Sequence, residues 1–196
     1  MSSPASGASH YAKGSAANIL RSVLVVGAIV AVIFFAVART NSVTPQQIDV
    51  PVAAEGHAVQ SGEPLSYPVD LPEGWQATSV RYIRSTGDVM MWHAGYTTPD
   101  GQYVAIQQAV DGPEEWVNVQ TNNGARIGTL TSEDGREWVQ REREGKVQRS
   151  LVNDPEGKGE LTTIITGTGT FDQLMEFANH LRQADPTPSS ASPTSS

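Results

Sequence analysis

Cysteine is absent from the 196-residue chain. That excludes a disulfide framework, a thiolate metal site, a thiol nucleophile and a lipid-modified cysteine as the means of holding the chain at a membrane. Histidine is scarce too: of four, only His57, His93 and His180 fall outside the first 18 residues. They stand far apart, and Glu176, four residues before His180, forms a commonplace pair, whereas a metal site needs three or four converging donors. No Gly-x-Ser-x-Gly turn is present to offer a serine to His93, so neither a catalytic set nor a cofactor is expected. Positive charge is short as well. After residue 38, eleven basic side chains face twenty-one acidic ones, a net charge of −10 that repels phosphate backbones and argues against nucleic acid as a partner.

One long apolar run is present. Residues 22–38 read SVLVVGAIVAVIFFAVA, 17 residues without a charge, eleven of them Val, Ile, Leu or Phe. Those eleven favour insertion into a bilayer by roughly 5 kcal/mol. With Ile19, Leu20 and a snorkelling Arg21, the run predicts a transmembrane helix over 19–38. Lys13 and Arg21 precede it and Arg39 alone follows closely, which puts the N-terminus in the cytoplasm and the rest outside the cell membrane. Ala36-Val37-Ala38 also fits a small-x-small cleavage site, so cleavage after Ala38 is the competing reading. The apolar stretch, however, exceeds the usual signal-peptide core.

The remaining organisation follows from composition. Residues 1–18 and 184–196 are rich in Ser, Ala, Thr and Pro and are expected as disordered tails. The stretch 39–64 holds Pro45, Pro51, Gly56, Gly62 and Pro64 without a sustained period and reads as a linker. One extracytoplasmic domain over 65–183, with folded structure from about Tyr67, is what is left.

Within it, alternation and turn residues predict strands over 77–85, 88–97 and 102–110, the last two joined at Pro99-Asp100-Gly101. Asp111-Gly112-Pro113-Glu114-Glu115 reads as a capped helix start, and Asn123-Gly124 as its stop, giving a helix near 113–122. Strands over 125–131, 136–144, 146–153 and 160–167 follow. A two-residue loop at Glu144-Gly145 would set Arg143 opposite Lys146 and Trp138 opposite Leu151. A capping box from Thr170 to Gln173 opens a last helix with Phe171, Leu174, Met175, Ala178 and Leu181 in one stripe. The expected class is α+β: an antiparallel sheet of about seven strands with two helices, in the order βββαββββα.

Few residues suggest a site. Trp75, Trp92, Trp116 and Trp138 suit a core better than a pocket. Gly167-Thr168-Gly169 suits a tight strand-to-helix connection better than an anion cradle, because Asp172 stands where a third glycine would be. Arg141, Arg143 and Lys146 project from one face of the expected hairpin and form the candidate interaction strip. An envelope protein is the expected partner, beside the bilayer itself. A carrier or sensor that holds a small apolar ligand between sheet and helix is the alternative.

Several blocks together resemble the actinobacterial domain of unknown function 4245 family. They are Leu71-Pro72-Glu73-Gly74-Trp75, Gly95-Tyr96-x-Thr98-Pro99-Asp100-Gly101-x-Tyr103 with Gln108, Gly135-x-x-Trp138, Arg149 to Val152, and Thr166-Gly167. The resemblance implies an anchored or exported cell-envelope protein and no catalytic residues. The strand order is also similar to the Mog1/PsbP-type sandwich, which implies an accessory, non-enzymatic domain by analogy of fold alone.

A reporter fused after Ser196 is expected to register the extracytoplasmic side, with the protein retained in the membrane fraction. Recovery of a soluble form beginning at Arg39 would replace the anchor by a cleaved leader.

Overall fold

The computed structural model describes residues 21–30, 32, 48–155 and 157–187, and the chain divides into two compact units, Met1–Gln46 and Gln47–Ser196. In the first unit, residues 21–30 and 32 are helical. The rest of the helix expected over 19–38, the tail over 1–18 and residues 188–196 lie outside the described residues. Among the described residues, no helix is long and apolar enough to cross a membrane.

The second unit begins earlier than the sequence suggests. The expected linker carries helix α1 (Val50–Ser61) in its second half, so the fold starts there and not near Tyr67. Two of the five residues that read as breakers, Pro51 and Gly62, serve as helix ends, and Gly56 lies within the helix. Pro51 sits in the first turn, where no backbone donor is needed, and Asp49 accepts from the Val52 N–H at 3.1 Å. Gly62 takes the left-handed conformation, φ +78°, and its N–H closes the last turn on Ala58. Val50, Ala54 and Ala58, one turn apart, are the buried stripe. Their small side chains gave no amphipathic signal.

Seven strands then form one antiparallel sheet: β2 (Gln76–Arg84), β3 (Met90–Thr97), β4 (Tyr103–Val110), β5 (Ala125–Thr131), β6 (Glu137–Glu142), β7 (Arg149–Asn153) and β8 (Leu161–Gly167), in spatial order β2-β3-β4-β8-β7-β6-β5. Helix α2 (Glu114–Gln120) follows β4 and helix α3 (Phe171–Asn179) follows β8. For this sheet and its two helices the order is the expected βββαββββα, and the protein is α+β. Outside it, β1 (Ser66–Pro68) pairs with β9 (Leu181–Gln183) in a separate two-stranded ladder.

Details differ from the sequence reading. Glu142 lies opposite Arg149 and Gln140 opposite Leu151, two residues away from the register of a two-residue loop. The turn at Glu144-Gly145 does form, with the Lys146 N–H on the Arg143 carbonyl, but 146–148 stay outside the ladder. A shift of two preserves the faces, so Trp138 and Leu151 are both buried in the same cluster. Leu181 leaves the helical stripe: α3 ends at Asn179, and Leu181 pairs with Pro68. Phe177 takes its place in the core, with Tyr96 edge-on at 5.2 Å between ring centroids and Trp75 at 5.7 Å. Asp111 does not cap α2; it accepts from the Gly159 N–H instead.

The main core lies between one face of the sheet and α1 and α3, with Trp92, Ile106, Trp138, Leu151, Leu174 and Phe177 fully buried. A polar clamp runs through it. Gln108 Oε1 accepts from the Ser66 N–H at 2.6 Å, and its NH2 donates to Ser66 Oγ and Thr163 Oγ1. Trp92 Nε1 donates to the Ser66 carbonyl at 2.9 Å. Side chains of β3 and β4 thus satisfy a strand that is not in their ladder, and Thr163 of β8 steadies the Gln108 amide that does so.

Gln108→Leu should therefore destabilise despite its added apolar surface, because Ser66 keeps a buried donor with no acceptor. Chemical denaturation should show a loss of at least about 2 kcal/mol, within the range of roughly 2–5 kcal/mol expected for Leu174→Ala. Wild-type stability in Gln108→Leu would mean that β1 is held by its ladder with β9 alone.

Candidate functional site

The opposite face of the sheet is only partly covered. Met91, Ala109, Val152 and Ile164 form its apolar part, and α2 lays Trp116 and Val117 on them. Gly112 allows the close approach, since a Cβ there would meet both Trp116 and Thr162. At its C-terminal end α2 stops at Thr121, whose hydroxyl returns to the Val117 carbonyl, and Asn122 and Asn123 turn the chain with φ of +54° and +53°.

Beyond α2 the face stays open as a trough of about 490 Å³. Tyr103 and Gln107 of β4 and Thr166 of β8 line it from the sheet. Val119, Gln120 and Asn122 form one wall, and Lys146, Val147 and Gln148 form the other. Gln148 joins the walls, donating to the Gln120 carbonyl at 2.9 Å and to Thr166 Oγ1 at 2.8 Å. Gln107 Oε1 is buried and, among the described residues, has no hydrogen-bond partner.

At the edge of this face, His93 Nε2 lies 3.2 Å from both Ser79 Oγ and Tyr103 Oη. Gly95 makes the room, because a Cβ there would strike both hydroxyls. Burial lowers the His93 pKa, and Arg81, its cross-strand partner, lowers it further; burial raises that of Tyr103. Sequence reading missed Ser79. The signal was available in the hairpin register, which sets Ser79 opposite Gly95, diagonal to His93. A serine beside an imidazole is one half of a nucleophile–base arrangement. Among the described residues, no carboxylate hydrogen-bonds the ring's other nitrogen to orient it.

The structure distributes the candidate strip over three environments. Arg141 is half-buried and donates to Asn118 Oδ1 at 2.7 Å, which ties β6 to α2. Arg143 and Lys146 are exposed on the turn, and of the three only Lys146 lines the trough. Arg141 belongs to a separate groove of about 790 Å³ with Arg126 and Arg136, where Glu114, Glu137 and Asp154 supply balancing charge. A third cavity, about 290 Å³, lies where Ser61 and Glu63 meet the Val110–Pro113 turn. Its Gln108 is already fully bonded within the protein.

The other singled-out residues are structural. Trp92, Trp116 and Trp138 are core, His57 stacks on Tyr82 at 5.2 Å, and His180 Nδ1 is 2.9 Å from the Val69 carbonyl. Thr168 exchanges hydrogen bonds with the Tyr103 backbone, closing the tight β8–α3 connection. Among the described residues, no three His, Asp or Glu side chains converge to hold a metal.

A family model described as Protein of unknown function (DUF4245) matches residues 12–181. No curated protein and no solved structure matches the chain.

His93 makes stability pH-dependent. Its folded pKa lies below the ordinary 6.5, so the unfolded chain binds the proton first as pH falls. The stabilisation is complete above that ordinary value and is lost as pH falls toward the folded one. Thermal melts from neutral toward acidic pH should fall more steeply for the wild type than for His93→Gln; parallel profiles would show an unshifted imidazole.

Proposed function

We propose, from the premise that this chain belongs to the DUF4245 family of proteins of unknown function, that it is a membrane-tethered recognition module of the cell envelope that binds without catalysis. The trough is its binding site. The observation that carries this reading is Gln107, whose side-chain oxygen has no donor among the described residues, on the sheet face that α2 covers only in part. A buried polar atom left without a partner costs stability, and a ligand that supplies the missing hydrogen bond recovers it.

The tether is supported by residues 21–30 and 32. Val23, Leu24, Val25, Val26, Ile29, Val30 and Val32 are each 54–68% exposed on a helix. Such a surface is favourable in hydrocarbon and unfavourable in water. Non-catalytic binding is favoured because Ser79 and His93 lack an orienting acid among the described residues. The alternative, an apolar ligand between sheet and helix, is disfavoured by fully buried Trp92, Ile106, Leu174 and Phe177, which fill that space.

The test uses the intact protein in membranes. Val119 and Val147 stand on opposite walls and are 46% and 71% exposed, so Val119→Asp with Val147→Asp should leave the fold intact. Affinity capture from membranes should lose the envelope components that the wild type retains. Equal recovery by the double variant would remove the trough from consideration.

A further inference from the structure

We infer that the ligand of the trough is a neutral saccharide, held through its hydroxyl groups; this rests on the trough being the binding site. Charge narrows the choice first. Among the described residues no carboxylate lines the trough and Lys146 is its only charged side chain, so it offers nothing to compensate a cationic ligand. The net charge of −10 beyond residue 38 works against a polyanion.

The polar groups narrow it further. Gln107, Asn122 and Gln148 bring amides to one cavity, beside the hydroxyl of Thr168; Gln120 has committed its NH2 to Ser85, and the Thr166 hydroxyl is taken by Gln148, Ser150 and the Arg149 carbonyl. An amide carries donor and acceptor side by side, and a sugar hydroxyl both donates and accepts, so neighbouring hydroxyls match an amide at two points. Among the described residues the Gln107 side chain makes no hydrogen bond, so nothing holds its amide back from turning to meet a sugar hydroxyl. Gln148 has committed its NH2 to Gln120 and Thr166, which fixes the amide in place and leaves its oxygen as an acceptor.

The apolar groups suit the same class. Tyr103 presents a half-exposed ring at the sheet, and Val119 and Val147 face across the opening, where the C–H surfaces of a pyranose would pack. A peptide is less well served. The floor is a sheet face, and the backbone groups of β4 and β8 are committed to their own ladder. An added strand needs a free sheet edge. The volume of about 490 Å³ falls within the range of small-ligand sites.

The experiment titrates the full chain, in a detergent without a sugar headgroup, with cellobiose, mannobiose and diacetylchitobiose. Side-chain amide resonances of Gln107 and Gln148 are followed. At least one disaccharide should shift both saturably, with a Kd of about 0.1–1 mM. Gln107→Leu should weaken binding at least tenfold with no loss of thermal stability, because that amide oxygen has no partner among the described residues. Shifts that survive undiminished in Gln107→Leu would place binding elsewhere and overturn the inference. So would the absence of any shift at about 10 mM, well above a millimolar Kd. In that case the wall variants separate the two failures. If they still abolish capture from membranes, the trough stands and the ligand class is wrong; if they do not, the trough falls as well.

Discussion

One buried amide holds the domain closed. Gln108 sits in the middle of the sheet with all of its visible bonds directed at Ser66 and Thr163, and Trp92 completes the hold on Ser66. A buried polar group is costly unless satisfied, and here satisfaction requires β1 to lie in one place. That place is over the first face of the sheet, where β1 brings Leu65 and Tyr67 into the core and offers its edge to β9. The clamp thus does by side chains what a backbone ladder does elsewhere: it specifies position, while the surrounding apolar residues supply most of the energy.

Because α1, α3 and the small ladder all crowd onto that face, the other face has one short helix to cover it. Trp116 and Val117 suffice for the apolar part, and the remainder is left with polar side chains that must find partners among themselves. Most do: Ser79, His93 and Tyr103 meet one another, and Gln148 bridges to Thr166. Gln107 does not. The asymmetry between a filled face and a half-covered one is what leaves this fold with an open trough.

What was legible in the sequence was local. Pro99-Asp100-Gly101, Asn123-Gly124 and the Thr170 capping box each punctuate the chain within a few residues, so the seven strands and two helices came out in order. What stayed hidden was long-range or ambiguous. The pairing of Ser66 with Gln183 joins strands of three residues across most of the domain, too short to carry a period. Pro51 and Gly62 looked like linker residues because helix ends and linkers use the same residue types for different reasons. Arg141 looked free because strand alternation gives a side chain's face but not what lies across from it. Asn118, 23 residues away, makes it a structural contact. The trough escaped for the same reason, since its walls come from α2 and from a turn that meet only in space.

The pairing of β1 with β9 carries a mechanical consequence. The register sets Ser66 beside Gln183 and Pro68 beside Leu181, so the chain enters and leaves the domain at the same end of a three-residue ladder. A load applied between the two ends of the domain pulls α1 away and then opens that ladder pair by pair, like a zipper, instead of shearing it all at once. The seven-stranded sheet lies behind this element and would feel the load last. A domain built this way has its weak link where the chain enters and leaves, and that link yields under tension before the face that carries the trough is deformed.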